Sequence, residues 1–108
     1  MRRVTNISIT GEAVSNLRRE VATFEPRPGE VFALIFMFSF TNPDGTPVDG
    51  FRPGFMAGPW PIENIGPSWL VAELTDGTPF HFRPREEWNP RENYLIDAVG
   101  PLFSIEAQ

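Results

Sequence analysis

Apolar and polar positions alternate at the start of the chain and then change to a helical period. Thr5, Ile7 and Ile9 alternate with polar residues, which predicts a short half-buried strand. The helical period is carried by Val14, Leu17, Val21 and Phe24, with Ala13 beside them. These spacings of three and four residues predict an amphipathic helix over about residues 11–24, capped by Thr10.

The next segment, residues 31–40, is apolar as far as Ser39. Both of its alternating faces are apolar, which is typical of a central strand that is covered on both sides. Its aromatic and β-branched content favours a strand over a helix. The phenylalanine-rich face could belong to the core, to a ligand cavity or to a dimer seam. We expect core, because the preceding helix needs an apolar surface to pack on.

Residues 42–67 are rich in glycine and proline but keep several apolar side chains. We predict a long ordered loop with one short strand near residues 54–57. Long ordered loops are often functional. The segment is therefore either a lid over the core or an interaction loop that presents Phe51, Phe55 and Trp60.

Asp76-Gly77 separates two short segments with strand propensity, residues 69–75 and 78–83. We predict a β-hairpin with a two-residue type I′ turn, because Asp-Gly tolerates the positive φ angles of that turn. The predicted cross-strand partners are Ala72 with His81, Val71 with Phe82, and Glu73 with Phe80. One face then holds Trp69, Val71, Phe80 and Phe82, and the other holds His81, Leu70, Ala72 and Leu74.

The end of the chain predicts a polar turn at residues 84–93 and two closing strands. These strands cover residues 94–99 and 102–106, and Gly100-Pro101 separates them. We therefore predict a single domain over residues 1–108 with an α+β fold. In this fold, one N-terminal helix packs on a twisted, mainly antiparallel β-sheet or partial barrel.

The residue types that the chain lacks exclude several kinds of chemistry. It has no cysteine and no lysine, and His81 is its only histidine. The absence of cysteine excludes a thiolate nucleophile, a disulfide and thiolate ligands for zinc or an iron–sulfur cluster. The absence of lysine excludes a Schiff base and a P-loop lysine. One histidine cannot form a multi-histidine metal site, and we expect no metal and no cofactor.

Charge and hydropathy limit the partners. The formal net charge of −5 disfavours nonspecific binding to nucleic acid or to an anionic membrane. The longest apolar run, residues 31–38, is far shorter than the roughly 20 residues of a membrane-spanning helix, and no apolar targeting segment follows Met1-Arg2-Arg3. We expect a cytoplasmic protein whose partner is a second copy or another protein.

A charged cluster at the end of the predicted hairpin is the strongest candidate for a ligand site. It contains His81, Arg83, Arg85 and Trp88. Arg83 and Arg85 can form a fork for a carboxylate or phosphate. The alternative is a solvated turn in which arginine and glutamate pair locally and His81 is an ordinary residue of the sheet surface. The chain has no paired carboxylates, nucleophile elbow or P-loop that would identify a catalytic residue.

Several short motifs together point to a family. They are Ile9-Thr10 before Ala13-Val14-x-x-Leu17, Gly54-Phe55-x-x-Gly58, Asp76-Gly77-x-x-Phe80 with Trp88 beyond it, and the closing apolar strands. Over residues 4–106 this layout resembles the HesB-like (iron–sulfur biosynthesis A-type) domain, especially its cysteine-poor bacterial branch. The resemblance implies a compact, mostly β fold with one main helix. Cluster-carrying members use three cysteines, and this chain has none, so no ligand residue carries over.

Two functional hypotheses follow. The first is a non-catalytic binding or assembly module, distantly similar to iron–sulfur assembly proteins, with Phe51, Phe55 and Trp60 as its contact surface. The second is a small-molecule or anion-binding protein that uses the histidine and arginines of the hairpin. Exposure of Phe55 and Trp60 would favour the first, and a concave pocket around the hairpin side chains would favour the second.

Overall fold

The computed structural model describes residues 2–108. It contains one α-helix and an eight-stranded mixed sheet that curls into a half-barrel. The strands are β1 (Arg2–Arg3), β2 (Ile7–Ile9), β3 (Glu30–Met37), β4 (Gly54–Pro61), β5 (Leu70–Glu73), β6 (Pro79–Phe82), β7 (Tyr94–Val99) and β8 (Leu102–Ala107), and helix α1 spans Gly11–Thr23. A short 3-10 turn, Ile62–Asn64, follows β4.

The strand order is β1-β5-β6-β3-β4-β8-β7-β2. Four of the seven neighbouring pairs are antiparallel and three are parallel, so the sheet is mixed rather than mainly antiparallel. The parallel pairs are β1 with β5, β2 with β7, and β3 with β6. These strands are distant in sequence, and local alternation of apolar residues carries no information on their pairing.

The N-terminal segment contacts both edges of the sheet. β1 forms one edge and β2 forms the other, and only residues 4–6 separate them. An extended chain advances at most about 3.6 Å per residue, so the two edges of the curled sheet lie close together. The Val4 N–H donates to the Val71 carbonyl over 2.9 Å, and the Val4 side chain is buried in the core.

The predicted helix is confirmed, and it begins where the sequence indicated. The Thr10 hydroxyl accepts a hydrogen bond from the Ala13 N–H over 3.2 Å, which caps the first turn. Ala13 and Leu17 are fully buried and belong to the hydrophobic core. Phe24, predicted on the same face, is 50% exposed, because the helix ends at Thr23.

The predicted central strand is confirmed as β3, which lies between β6 and β4. Its alternating face with Phe32 and Leu34 is part of the core. β3 ends at Met37, so Phe38 and Phe40 lie beyond the strand and are 71% and 51% exposed. The two closing strands are confirmed as β7 and β8.

The short strand predicted near residues 54–57 is confirmed, but it is longer than predicted. β4 also includes residues 58–61, which were expected to be loop, and it pairs with β3 along its whole length. The Ile62 N–H donates to the Gly29 carbonyl over 2.9 Å and continues this ladder. Even-numbered residues of β4 therefore exchange hydrogen bonds with β3. Pro59 and Pro61 are odd-numbered, so their missing N–H groups cost no bond to β3.

β4 meets its other neighbour, β8, at the single pair Phe55 with Phe103. Since the even-numbered residues bond to β3, the N–H and carbonyl of the odd-numbered Phe55 point toward β8. The neighbouring odd-numbered residues are Pro53 and Ala57, and Ala57 would lie opposite Pro101. Proline has no N–H to donate, so each of these positions lacks one of the two hydrogen bonds of a ladder pair, and pairing is limited to Phe55 with Phe103. Beyond Phe55, one edge of β4 is open.

The β5–β6 hairpin is present, but its register differs by one residue from the predicted one. Val71 lies opposite His81, and Ala72 lies opposite Phe80. The Leu74 N–H donates to the Thr78 carbonyl across a three-residue loop. Among the described residues only glycines have positive φ, and Gly77 has +87°. A type I turn followed by a left-handed glycine therefore replaces the type I′ turn, which needs two positive φ angles.

This one-residue shift changes which side chains share a face. Phe80 and Phe82 lie with Leu70 and Ala72 on the core face, and His81 lies with Val71 on the opposite face. The predicted faces were therefore wrong.

In the turn, hydrogen bonds from the Thr78 N–H and hydroxyl hold the pKa of Asp76 below its ordinary value. The positive charge of the nearby Arg18 guanidinium lowers this pKa further.

Gly54 lies buried where β4 meets β8. A Cβ atom at Gly54 would lie 3.1 Å from the Leu102 Cβ and from the Phe103 carbonyl oxygen. We expect Gly54→Ala to lower the free energy of unfolding by about 1–3 kcal/mol, because packed backbone must move. Gly58→Ala on the same strand is the matched control, since its Cβ would meet no atom within 4 Å. We expect this control to be neutral or to stabilise by about 0.4–1 kcal/mol. Urea unfolding compares the two variants, and equal stabilities would contradict the close approach at Gly54.

Candidate functional site

A cleft of about 890 Å³ lies where β4 and β8 diverge. We call it the β4 cleft. Its walls are residues 56–60 of β4, residues 99–102 of the β7–β8 turn, residues 48–52, the helix-end residues Glu20 and Phe24, and Ile35 and Phe40. Most of these side chains are apolar, and the charged ones are Glu20, Asp49 and Arg52. Asp49 and Arg52 are exposed to solvent.

Two aromatic rings on the loop between β3 and β4 form one side of the β4 cleft. Phe40 and Phe51 stack with ring centroids 6.2 Å apart. The Val48 N–H donates to the Phe40 carbonyl over 3.0 Å, which closes the intervening turn. Inside this turn, hydrogen bonds from the Thr46 hydroxyl and N–H lower the pKa of Asp44. The loop is thus internally hydrogen-bonded and holds both rings in place.

Trp60 lines the β4 cleft and carries a polar atom without a partner. Its side chain is half-buried, but its indole Nε1 is shielded from solvent and has no hydrogen-bond partner. Buried donors are nearly always paired in folded proteins. Leaving one unpaired costs about 1–3 kcal/mol. Because water does not reach this atom, a molecule in the open cleft does not reach it either unless Trp60 moves.

Two of the three predicted interaction residues, Phe51 and Trp60, line the β4 cleft. Phe55 does not. It is 3% exposed, and its ring lies edge-on to Phe36 with centroids 5.2 Å apart. The structure therefore corrects the prediction for Phe55, whose side chain lies on the core-facing side of β4.

The four residues of the predicted hairpin site are not brought together. His81 is 8% exposed, and its Nδ1 lies 3.3 Å from the Phe32 carbonyl oxygen. Trp88 is buried, stacks on Tyr94 with centroids 3.7 Å apart, and donates from Nε1 to the Asn6 side chain over 3.0 Å. Both side chains have clear packing roles, so the sheet interior explains them without a ligand.

The two arginines of the predicted site have different surroundings. The Arg85 guanidinium lies 4.1 Å from the ring centroid of Phe36 and 5.2 Å from that of Phe38. Arg83 is exposed and makes no hydrogen bond or ion pair within residues 2–108. We predicted that Arg83 and Arg85 would bind one anion together, but the Arg85 guanidinium contacts the rings of Phe36 and Phe38 instead.

Two of the four residues of the predicted hairpin site line a second cleft, of about 370 Å³. Arg85 and Trp88 line it, together with Glu86, Glu87 and Tyr94. Neither His81 nor Arg83 lines this cleft or the β4 cleft. Three carboxylates, those of Glu86, Glu87 and Glu106, beside one arginine make this cleft a poor site for an anion.

Residues 2–108 contain no group of three or more His, Asp or Glu side chains placed to hold a metal ion. In the same part of the chain, no helix has the length and apolar character needed to cross a membrane.

No protein-family model, no curated protein and no solved structure matches the chain. The similarity to HesB-like domains therefore stays a prediction, and the functional argument rests on the chain's own residues.

Sequence reasoning missed the glycine and proline residues that shape the β4 cleft. Gly58 and Pro59 lie in its wall, and Pro53 and Pro101 stop the β4–β8 ladder. Prolines spaced along an otherwise apolar segment were a usable signal, since proline is tolerated at sheet positions whose N–H faces away from a partner.

The cation–π contact of Arg85 has a measurable consequence. We expect Arg85→Ala to lower the free energy of unfolding by about 0.5–1 kcal/mol, because it removes the guanidinium from the Phe36 and Phe38 rings. Arg83→Ala is the matched control, with an expected change of less than about 0.5 kcal/mol. Urea denaturation of both variants gives the comparison. Equal losses in the two variants would show that the contact contributes nothing specific.

Proposed function

We propose that this protein is a non-catalytic binding module that holds a predominantly apolar small molecule in the β4 cleft. One observation carries the proposal: the cleft has a volume of about 890 Å³, and its walls are mostly apolar and include the aromatic rings of Phe51 and Trp60. Small-molecule sites are typically clefts of roughly 300–1,000 Å³, with apolar walls and a few polar groups that fix orientation.

The composition of the lining supports binding rather than catalysis. The described residues that line the cleft include no histidine, serine, threonine or tyrosine. Its titratable side chains are Glu20, Asp49 and Arg52. Nucleophilic catalysis needs a nucleophile within hydrogen-bonding reach of a base, and these residue types supply no such pair.

This proposal narrows the first sequence hypothesis. Phe51 and Trp60 keep their predicted role in contacting the bound molecule, and Phe55 loses it. A relationship to iron–sulfur assembly proteins stays a proposal, supported by the mostly β architecture with one helix. A cytoplasmic location also stays a proposal. We also assign the fold to the α+β class with α1 packed on a twisted sheet, on the strength of Ala13 and Leu17 being buried in the core.

Assembly with a second copy or a protein partner is the second candidate function. Phe38 and Ile62 are 71% and 53% exposed and lie outside the β4 cleft lining. Phe24, Phe40 and Met56 are exposed at the cleft itself. Exposed apolar side chains of this size favour contact with another surface, and self-association would appear as a dimer in sedimentation velocity.

A substitution that fills the cleft tests the proposed function. Gly58 lines the β4 cleft, and a Cβ there would meet no atom within 4 Å. We expect the neutral dye Nile red to bind the wild-type protein with one-to-one stoichiometry. We expect Gly58→Leu to weaken this binding by about tenfold or more, because its side chain takes up ligand volume. Fluorescence titration measures both affinities.

The matched control is Gly11→Leu, which adds the same side chain at an exposed glycine outside the cleft, with no atom within 4 Å of its Cβ. It should bind Nile red as the wild type does. The proposal fails if Nile red does not bind, or if Gly58→Leu binds it as tightly as the control.

A further inference from the structure

The open edge of β4 gives the cleft a wall of hydrogen-bond acceptors. Odd-numbered residues of β4 direct their backbone groups away from β3, as the Ile62 to Gly29 bond establishes. Phe55 uses these groups to pair with Phe103. The following odd-numbered residues, Ala57 and Pro59, line the cleft. Their carbonyl oxygens therefore face the open side of the strand.

This wall is poor in donors. Pro59 and Pro61 contribute no N–H, so Ala57 supplies the one N–H on this side of β4 between Phe55 and the strand end. An added peptide strand needs alternating donors and acceptors along the edge. Pro59 and Pro61 break that alternation, and prolines on an open edge commonly prevent strand addition. The occupant of the cleft is therefore a small molecule rather than a peptide strand.

The bound molecule must therefore donate hydrogen bonds to the carbonyl oxygens of Ala57 and Pro59. A neutral primary carboxamide or a hydroxyl group supplies such a donor.

The charges around the cleft favour a neutral molecule. Arg52 is the one basic residue in the described lining, it is exposed, and Glu20 and Asp49 oppose it. The chain carries a net charge of −5. A carboxylate would lose its hydration in the apolar cleft and would find acceptor oxygens along β4, so an anion is disfavoured.

We infer that the ligand of the β4 cleft is an apolar molecule with a neutral hydrogen-bond donor, such as a carboxamide or hydroxyl group, which donates to the carbonyl oxygens of Ala57 and Pro59. This inference rests on the proposed function, because it assigns the chemistry of the same cleft.

The experiment compares ten-carbon probes that differ in their polar group. Decanamide and 1-decanol donate and accept, methyl decanoate accepts but cannot donate, and decanoate is an anion. Each probe displaces Nile red from the wild-type protein, and isothermal titration calorimetry gives the affinities directly. We expect decanamide or 1-decanol to bind at least about fivefold more tightly than methyl decanoate, since one or two further hydrogen bonds form. Decanoate should bind most weakly.

The outcomes distinguish the inference from the proposed function. If methyl decanoate or decanoate binds as tightly as decanamide and 1-decanol, and Gly58→Leu blocks them all, the inference is overturned and the cleft remains a binding site. If neither the probes nor Nile red bind, both fail. If decanamide and 1-decanol bind more tightly than the other probes, the inference is supported, and the tighter of the two identifies the preferred neutral group.

Discussion

The shape of the cleft depends on one backbone contact between β4 and β8. Phe55 pairs with Phe103, and Gly54 makes the close approach possible because its missing Cβ leaves room for Leu102. Proline limits the ladder on both sides of this pair: Pro53 directly precedes β4, and Pro101 directly precedes β8. The two strands are therefore held together at one point and diverge beyond it. The divergence, and not a gap in side-chain packing, produces the cleft.

The rest of the fold compensates for this incomplete ladder. β4 is paired with β3 over its full length, and the N-terminal segment pairs with strands at both edges of the sheet. The core below is continuous and includes Leu17, Leu34 and Phe103. Since these interactions fix β4 from one side, its other edge is free to contact a molecule. Pro59 and Pro61 leave carbonyl oxygens on that edge and remove donors that would attract another strand.

Local patterns predicted the helix, β3, β7 and β8, because each depends on the spacing of its own residues. The hairpin was predicted in kind but not in register, since Asp76-Gly77 fits a type I turn with a left-handed glycine as well as a type I′ turn. β4 was predicted only in part, near residues 54–57, because its later glycine and prolines indicate a loop in isolation. Their positions make sense only once the partner strand is known. The cleft and the parallel pairings depend on contacts distant in sequence. His81 and Arg83 line no common cleft, because His81 is buried in the sheet beside Phe32 and Arg83 is exposed.

Amide hydrogen exchange followed by NMR tests the central claim most directly. The ladder phase predicts slow exchange at Met56 and Gly58, whose N–H groups bond to β3, and at Phe55, which bonds to Phe103. Ala57 lies between them, and its N–H faces the cleft without a strand partner. We predict that Ala57 exchanges about 100-fold faster or more than Met56 and Gly58 in the free protein. Protection of Ala57 equal to that of its neighbours would show that β4 is paired on both sides and that the cleft is closed.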